Sequence, residues 1–222
     1  MAIQIQGTSG TLPEVDGTTY RALRVTMRPT DYALLGLYRI SMQSGVMAAG
    51  LAAFATIFYA RWVASPQLAL IWGVSLDGVA GTSTAFTAGT GFHGFQVARA
   101  WTVDGSGGNL AVLTGNNQKL RASMGSSLMG TIRCSSTAAL SAGTNNTDAQ
   151  GMGHIWYPIN TATGVTYVTQ AGFYGSQTLE DGGNPAPIVL AQNEGVTVNA
   201  SMPATGTWQF GISMSWSEVN SY

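Results

Sequence analysis

Charge is scarce in this chain. Lysine, arginine, aspartate and glutamate make up 9% of its 222 residues, where an ordinary soluble domain carries roughly a quarter. Disorder does not explain the shortage, because 45% of the residues are hydrophobic and aromatics run throughout. A surface so thinly charged is poorly protected against association, and depletion of charge marks the centres of protein interfaces. An extracellular-type β-protein and a subunit that buries its surface against neighbours both fit, and the second is favoured.

Cysteine is also nearly absent. The single Cys134 forbids an intrachain disulfide and excludes a small disulfide-stapled fold. The beginning, Met1 to Gln6, has neither a basic region nor an apolar segment, so it reads as a short alternating strand rather than a signal peptide. Net charge is −1, and all nine basic residues lie at or before Arg133, leaving only acids beyond Cys134. That asymmetry can orient the molecule on a partner. The basic residues are dispersed rather than striped, so no nucleic-acid partner is expected.

What is abundant is β-pattern. Over Trp208 to Trp216 the positions Trp208, Phe210, Ile212, Met214 and Trp216 are large and apolar, while Gln209, Gly211, Ser213 and Ser215 are small or polar. A period of two assigns the first set to one buried face of a sheet, and a helix cannot produce it. Val196 to Ser201 alternates as well, with Met202–Gly206 as the turn between two consecutive strands.

Further strands are predicted along the chain. They cover Tyr20–Arg28, Leu37–Gln43, Phe54–Trp62, Leu68–Val74, Phe92–Thr102 with a bulge at His93-Gly94, and Leu110–Leu113. Leu128–Cys134, His154–Tyr157, Val165–Val168 and Ile188–Leu190 follow, with Asp77-Gly78 ending one strand and Gln118–Met124 as the one helix. Ser135–Gly151 reads as a long polar loop. Ser41 to Ala60 carries no charge, but serines, glutamine and glycines dilute it and no aromatic belt marks both ends, so no membrane span is expected. About a dozen short strands predict one all-β domain over 1–222. The expected architecture is an antiparallel, jelly-roll-like β-sandwich with long Gly/Ser/Thr-rich loops and an N-terminal arm at 1–19.

No catalytic constellation is spelled. Gly89-Thr90-Gly91-Phe92-His93-Gly94 matches G-x-G-x-x-G, but a small-residue loop precedes it, Phe95-Gln96-Val97 fits a strand, and Asp104 comes too soon for the ribose acid. Gly115–Lys119 lacks the first glycine and the Ser/Thr of a phosphate loop. His93 and His154 have no second ligand at metal spacing, and a structural role beside aromatic rings is expected for them. Cys134 has no activating cation among its neighbours and reads as packing. Glu180–Asn184 and Asp104 with Asn109 gather oxygen atoms that suit Ca²⁺, yet turn chemistry explains both segments. Ten acids are present without a spacing that pairs two for glycoside hydrolysis. No catalytic residue, metal or cofactor is therefore assigned. Exposed tryptophans or tyrosines in a row would make a platform for sugar rings.

Two stretches carry a resemblance. Tyr38–Ala53 with Ile57–Trp62, and Pro187–Val198 leading to Gly206–Gly211, resemble structural proteins encoded by tailed bacteriophages. The resemblance spans about a quarter of the chain and brings no functional residues with it. It implies a virion component, assembled in the host cytoplasm, on the capsid, head spike, collar or tail fibre. The expected function is a non-enzymatic capsid-exterior decoration or head-spike subunit. It would be a homo-oligomer, a trimer, that cements the particle through contacts with the major capsid protein. Arg24, Arg28 and Arg61 are the cations expected to meet acidic capsid patches. The alternative is a receptor- or carbohydrate-binding module of a tail fibre or spike that takes a host surface glycan.

Overall fold

The computed structural model describes residues 35–48, 50–51, 54–141, 143–174 and 187–220, all within the compact unit Tyr32–Tyr222. The arm at 1–19, the strand over Tyr20–Arg28 and the cluster Glu180–Asn184 lie outside the described residues.

The described chain is all-β and folds as two antiparallel sheets. In the first sheet, β1 (Gly36–Gln43), β14 (Thr207–Val219) and β4 (Leu68–Gly81) lie side by side. The short strands β10 (Thr166–Val168), β11 (Ala171–Tyr174) and β12 (Ile188–Leu190) pair with the outer edge of β4, and β2 (Met47–Ala48) pairs with β14. The second sheet runs β6 (Asn109–Leu110), β7 (Met129–Cys134), β3 (Ala55–Trp62), β13 (Glu194–Ser201) and β5 (Gly89–Val103). Beyond β5, β8 (Thr144–Thr147) pairs with its later half and β9 (Gly153–Ile159) with its earlier half.

The alternation that dominates the sequence near its end is the centre of the core. Trp208, Phe210, Ile212, Met214 and Trp216 are all 0–1% exposed and meet Phe58, Phe95, Val196 and Val198 of the second sheet in one cluster. Each such side chain contributes about 1.5–3 kcal/mol by leaving water. Val196–Ser201 and Trp208–Trp216 are consecutive strands but not partners: Met202–Gly206 carries the chain from the second sheet to the first. The connection therefore closes the sandwich across its thickness.

Several boundaries move, each for a physical reason. Asp77-Gly78 does not end β4; the strand continues to Gly81, and the register against β14 slips at Asp77 and again at Trp72. Two bulges thus turn both side chains outward without breaking the strand. His93-Gly94 is regular, and the irregularity in β5 falls between Arg99 and Val103, where Ala100 has φ 49°. Gln118–Met124 is not a helix but a run of turns. Its backbone bonds to the edge of β1 instead, Arg39 N to Gln118 O at 2.9 Å and Leu120 N to Leu37 O at 3.1 Å. With Gly115 and Gly125 close by, tertiary pairing outweighs a short helical propensity. Ser135–Gly151 includes β8, and β11 is a strand that periodicity did not reveal. Among the described residues no helix is long and apolar enough to cross a membrane.

Candidate functional site

The residues singled out by chemistry scatter. His93 and His154 sit on neighbouring strands, β5 and β9, but face opposite sides of the sheet: His93 pairs with Ile155, and His154 with Gly94. His93 is fully buried, with Nδ1 3.1 Å from the Tyr157 hydroxyl and its ring edge-on to Trp208. Burial pushes its pKa down to about 3, so the ring is neutral. His154 is exposed against Phe92. The two cannot share a ligand. Cys134 is buried in the core, and burial pushes its thiol up to about 12. It is a packing residue, not a nucleophile.

Asp104 belongs to an internal network. It accepts from Arg61 Nη1 and from Thr131 Oγ1, both at 2.7 Å. Burial opposes its ionisation, yet Arg61 and Thr131 outweigh that and hold the carboxyl below its ordinary range. Arg61 also donates to Asn193 Oδ1 at 3.0 Å, and its side chain is 12% exposed. Arg61 is therefore engaged inside the molecule, which removes it from the cations expected to reach a partner. Arg24 and Arg28 lie outside the described residues. No group of three metal-ligating side chains occurs among the described residues.

The glycine fingerprint has a packing explanation. Gly89 to Gly94 lies inside β5. A Cβ on Gly91 would come within 2.3 Å of the Tyr157 ring, and one on Gly94 within 2.5 Å of the Phe54 ring. The glycines make room for aromatic rings across the strand, not for a phosphate.

The free cations lie elsewhere. From Asn109 to Leu128 the chain forms a strap beside β1 and β7, and no acid occurs between Asp104 and Asp148. Leu110, Val112, Leu120 and Leu128 on this strap are 40–58% exposed. Lys119 and Arg121 make no ion pair with a described residue, whereas Arg99 bridges Asp148 and Glu194. The strap is firmly held. Glu218, fully buried, accepts from Ser127 Oγ at 2.5 Å, Leu128 N at 3.0 Å and Trp216 Nε1 at 3.2 Å. Tyr38 donates to Gly125 O at 3.1 Å and stacks on Trp216. Burial raises the Glu218 pKa, while the Ser127, Leu128 and Trp216 donors partly restrain the rise. The strap thus carries exposed aliphatic side chains and two cations along a segment that runs from β7 of the second sheet to β1 of the first. The absence of acids over this stretch was its signal in the sequence, masked by the helix expected there.

A second exposed feature lies at the far end of the second sheet. Trp156 is 66% exposed, the only tryptophan so open among the described residues, and its ring centroid is 4.2 Å from that of Phe92. Phe54 and His154 each stack on Phe92 at 5.2 Å. Outward alternation of His154 and Trp156 against buried Tyr157 is visible in the sequence; their meeting with Phe54 is not. The outer face of the first sheet carries a shallow groove lined by Ser41, Gln43, Asp77, Gln209 and Gly211. There Asp77 accepts from Ser41, Ser75 and Ser213. No other acid lines it, so two carboxylates do not face each other there. No protein-family model matches this chain, and neither a curated protein nor a solved structure is significantly similar to it.

Proposed function

We propose that this protein is a non-enzymatic structural subunit of a tailed-bacteriophage particle. It is a decoration or head-spike protein that sits on the capsid exterior as a homotrimer and is assembled in the host cytoplasm. The observation that carries the reading is the strap: four exposed aliphatic side chains, with Lys119 and Arg121 flanking Leu120 in the chain, on a segment without acids. Apolar contact excludes water at such an interface while the cations choose an acidic partner surface. The scarcity of charge over the whole chain and the resemblance of Tyr38–Ala53 with Ile57–Trp62, and of Pro187–Val198 with Gly206–Gly211, support the same reading. So does the strand order, in which β1-β14-β4-β10 faces β3-β13-β5-β9, an arrangement that suits a jelly roll.

Light scattering after size exclusion, then co-sedimentation with capsids lacking this subunit, tests it. The expected result is a stable oligomer that binds capsids and loses them in the double variant Lys119→Glu, Arg121→Glu. A monomer that ignores capsids defeats the proposal.

A further inference from the structure

The exposed aromatic cluster is separate from the strap. Across the second sheet the strands run β7, β3, β13, β5, β9, which places β9 about 19 Å from β7 at the ordinary strand spacing. Whatever binds at the cluster leaves the strap free.

We infer that the cluster around Trp156 is a carbohydrate-binding subsite that stacks on the face of one neutral sugar ring. Three observations select that occupant. First, the indole presents an open surface on a stiff base. Trp156 rests on Phe92, and Phe92 is stacked by Phe54 and His154, so little rotamer freedom remains to be lost on binding. Second, the area is small. An aromatic side chain offers about 150–250 Å², so the rings of Trp156 and the exposed His154 stay below the roughly 800 Å² per partner of a stable protein interface. One pyranose covers it. Third, the platform holds no carboxylate, lysine or arginine. His154 is its single ionisable side chain, and exposed Thr90 and Pro158 extend the same face of β5 and β9. An aromatic face edged by neutral hydrogen-bonding groups complements a ring with an apolar C–H face and equatorial hydroxyls, and offers no partner to a carboxylated or sulfated sugar. Phe54 belongs to the base through its left-handed backbone, φ 63°, which carries its ring over Gly94.

The test uses the intact protein. It is probed on an array of bacterial capsular and O-antigen polysaccharides, then titrated with maltohexaose, cellohexaose and chitohexaose while tryptophan fluorescence is followed. At least one neutral glycan is expected to bind. Trp156→Ala should weaken that binding about tenfold or more, Trp156→Phe should restore much of it, and Thr102→Ala, exposed on the later half of β5, should leave it unchanged. Because Trp156 lies on the surface, circular dichroism should show all three variants folded. The inference is overturned if no neutral glycan binds at millimolar concentration, if only acidic glycans bind, or if Trp156→Ala binds as tightly as the parent. Loss of oligomerisation in Trp156→Ala also overturns it, since the patch would then be a protein contact. None of these outcomes touches the strap, so the assembly reading stands or falls separately.

Discussion

Acidification should weaken this protein through one buried ring. His93 is held near pKa 3 by burial, whereas an unfolded histidine titrates at 6.5. A depressed folded pKa contributes stability that is complete above 6.5 and is lost as pH falls through the interval toward 3, because only the unfolded chain takes up the proton. Each pH unit crossed within that interval costs about 1.36 kcal/mol. The fold therefore loses about 3 kcal/mol by pH 4.5 and about 5 kcal/mol by pH 3 from His93 alone. Against a typical total of about 5–15 kcal/mol that is a large share. The environment leaves no route to relief. Nδ1 faces the Tyr157 hydroxyl, and neither His93 Nε2 nor the neighbouring Trp208 Nε1 has a hydrogen-bond partner among the described residues. Urea unfolding followed by tryptophan fluorescence from pH 7.5 to 4.5 measures the slope, with His93→Gln as the reference. The glutamine variant should be less stable at pH 7.5 by about 1–3 kcal/mol, the cost of an imperfectly paired buried polar group. It should lose less with acid, so the two curves converge. Parallel curves, or an NMR titration of His93 near 6.5, would refute the reasoning.

Glu218 supplies a slope of opposite sign. Its folded pKa is raised above 4.5, so its contribution is full below 4.5 and is lost as pH rises through the folded value. Glu218→Gln should remove that component, so the variant loses more stability than the parent as pH falls from 7 toward 4.5 in the same urea series. Gly91→Ala should destabilise by about 1–3 kcal/mol, because the new methyl meets the Tyr157 ring inside a packed core; thermal unfolding reads it. Gly115→Ala, where nothing lies within 4 Å, meets no neighbour and strains only its own left-handed backbone, so it should cost less. Cys134 should resist a thiol-specific disulfide reagent in the native protein at pH 8 and react fully in denaturant; rapid native labelling would contradict its burial.

The fold class was legible because its signal is local. Period-two alternation survives in one sequence, and Trp208 to Trp216 placed its large residues in the core one by one. What alternation does not encode is which strands are neighbours. Val196–Ser201 and Trp208–Trp216 look like a hairpin, yet they belong to opposite sheets. Their pairing is decided by Phe95, Phe58 and the β4 edge, more than a hundred residues away. Bulges escape for a similar reason. Trp72 and Asp77 turn outward only because β14 slips past β4 twice, and the slip belongs to the pair of strands rather than to either one. The cations show the same limit. Arg61 looks free in the sequence because Asp104 and Asn193 are distant in the chain, whereas Lys119 and Arg121 looked like helix residues.

Both exposed features follow from how the sandwich handles its margins. A strand edge left bare invites uncontrolled pairing with other chains. The β1 edge is covered by the Gln118–Met124 backbone, so the strap first serves the fold and then presents its remaining side chains outward. Its anchor is costly: a fully buried carboxylate with a raised pKa is retained at Glu218, where an apolar residue would pack without that penalty. The carboxylate accepts from the strap's own backbone at Leu128 and from Trp216 at once, which fixes the strap to the core in one register. A loop that served only to shield an edge would not require such fixing. If the strap is the proposed assembly surface, such fixing would hold Leu110, Val112 and Leu120 in a set arrangement before a partner arrives and so lower the ordering cost of binding.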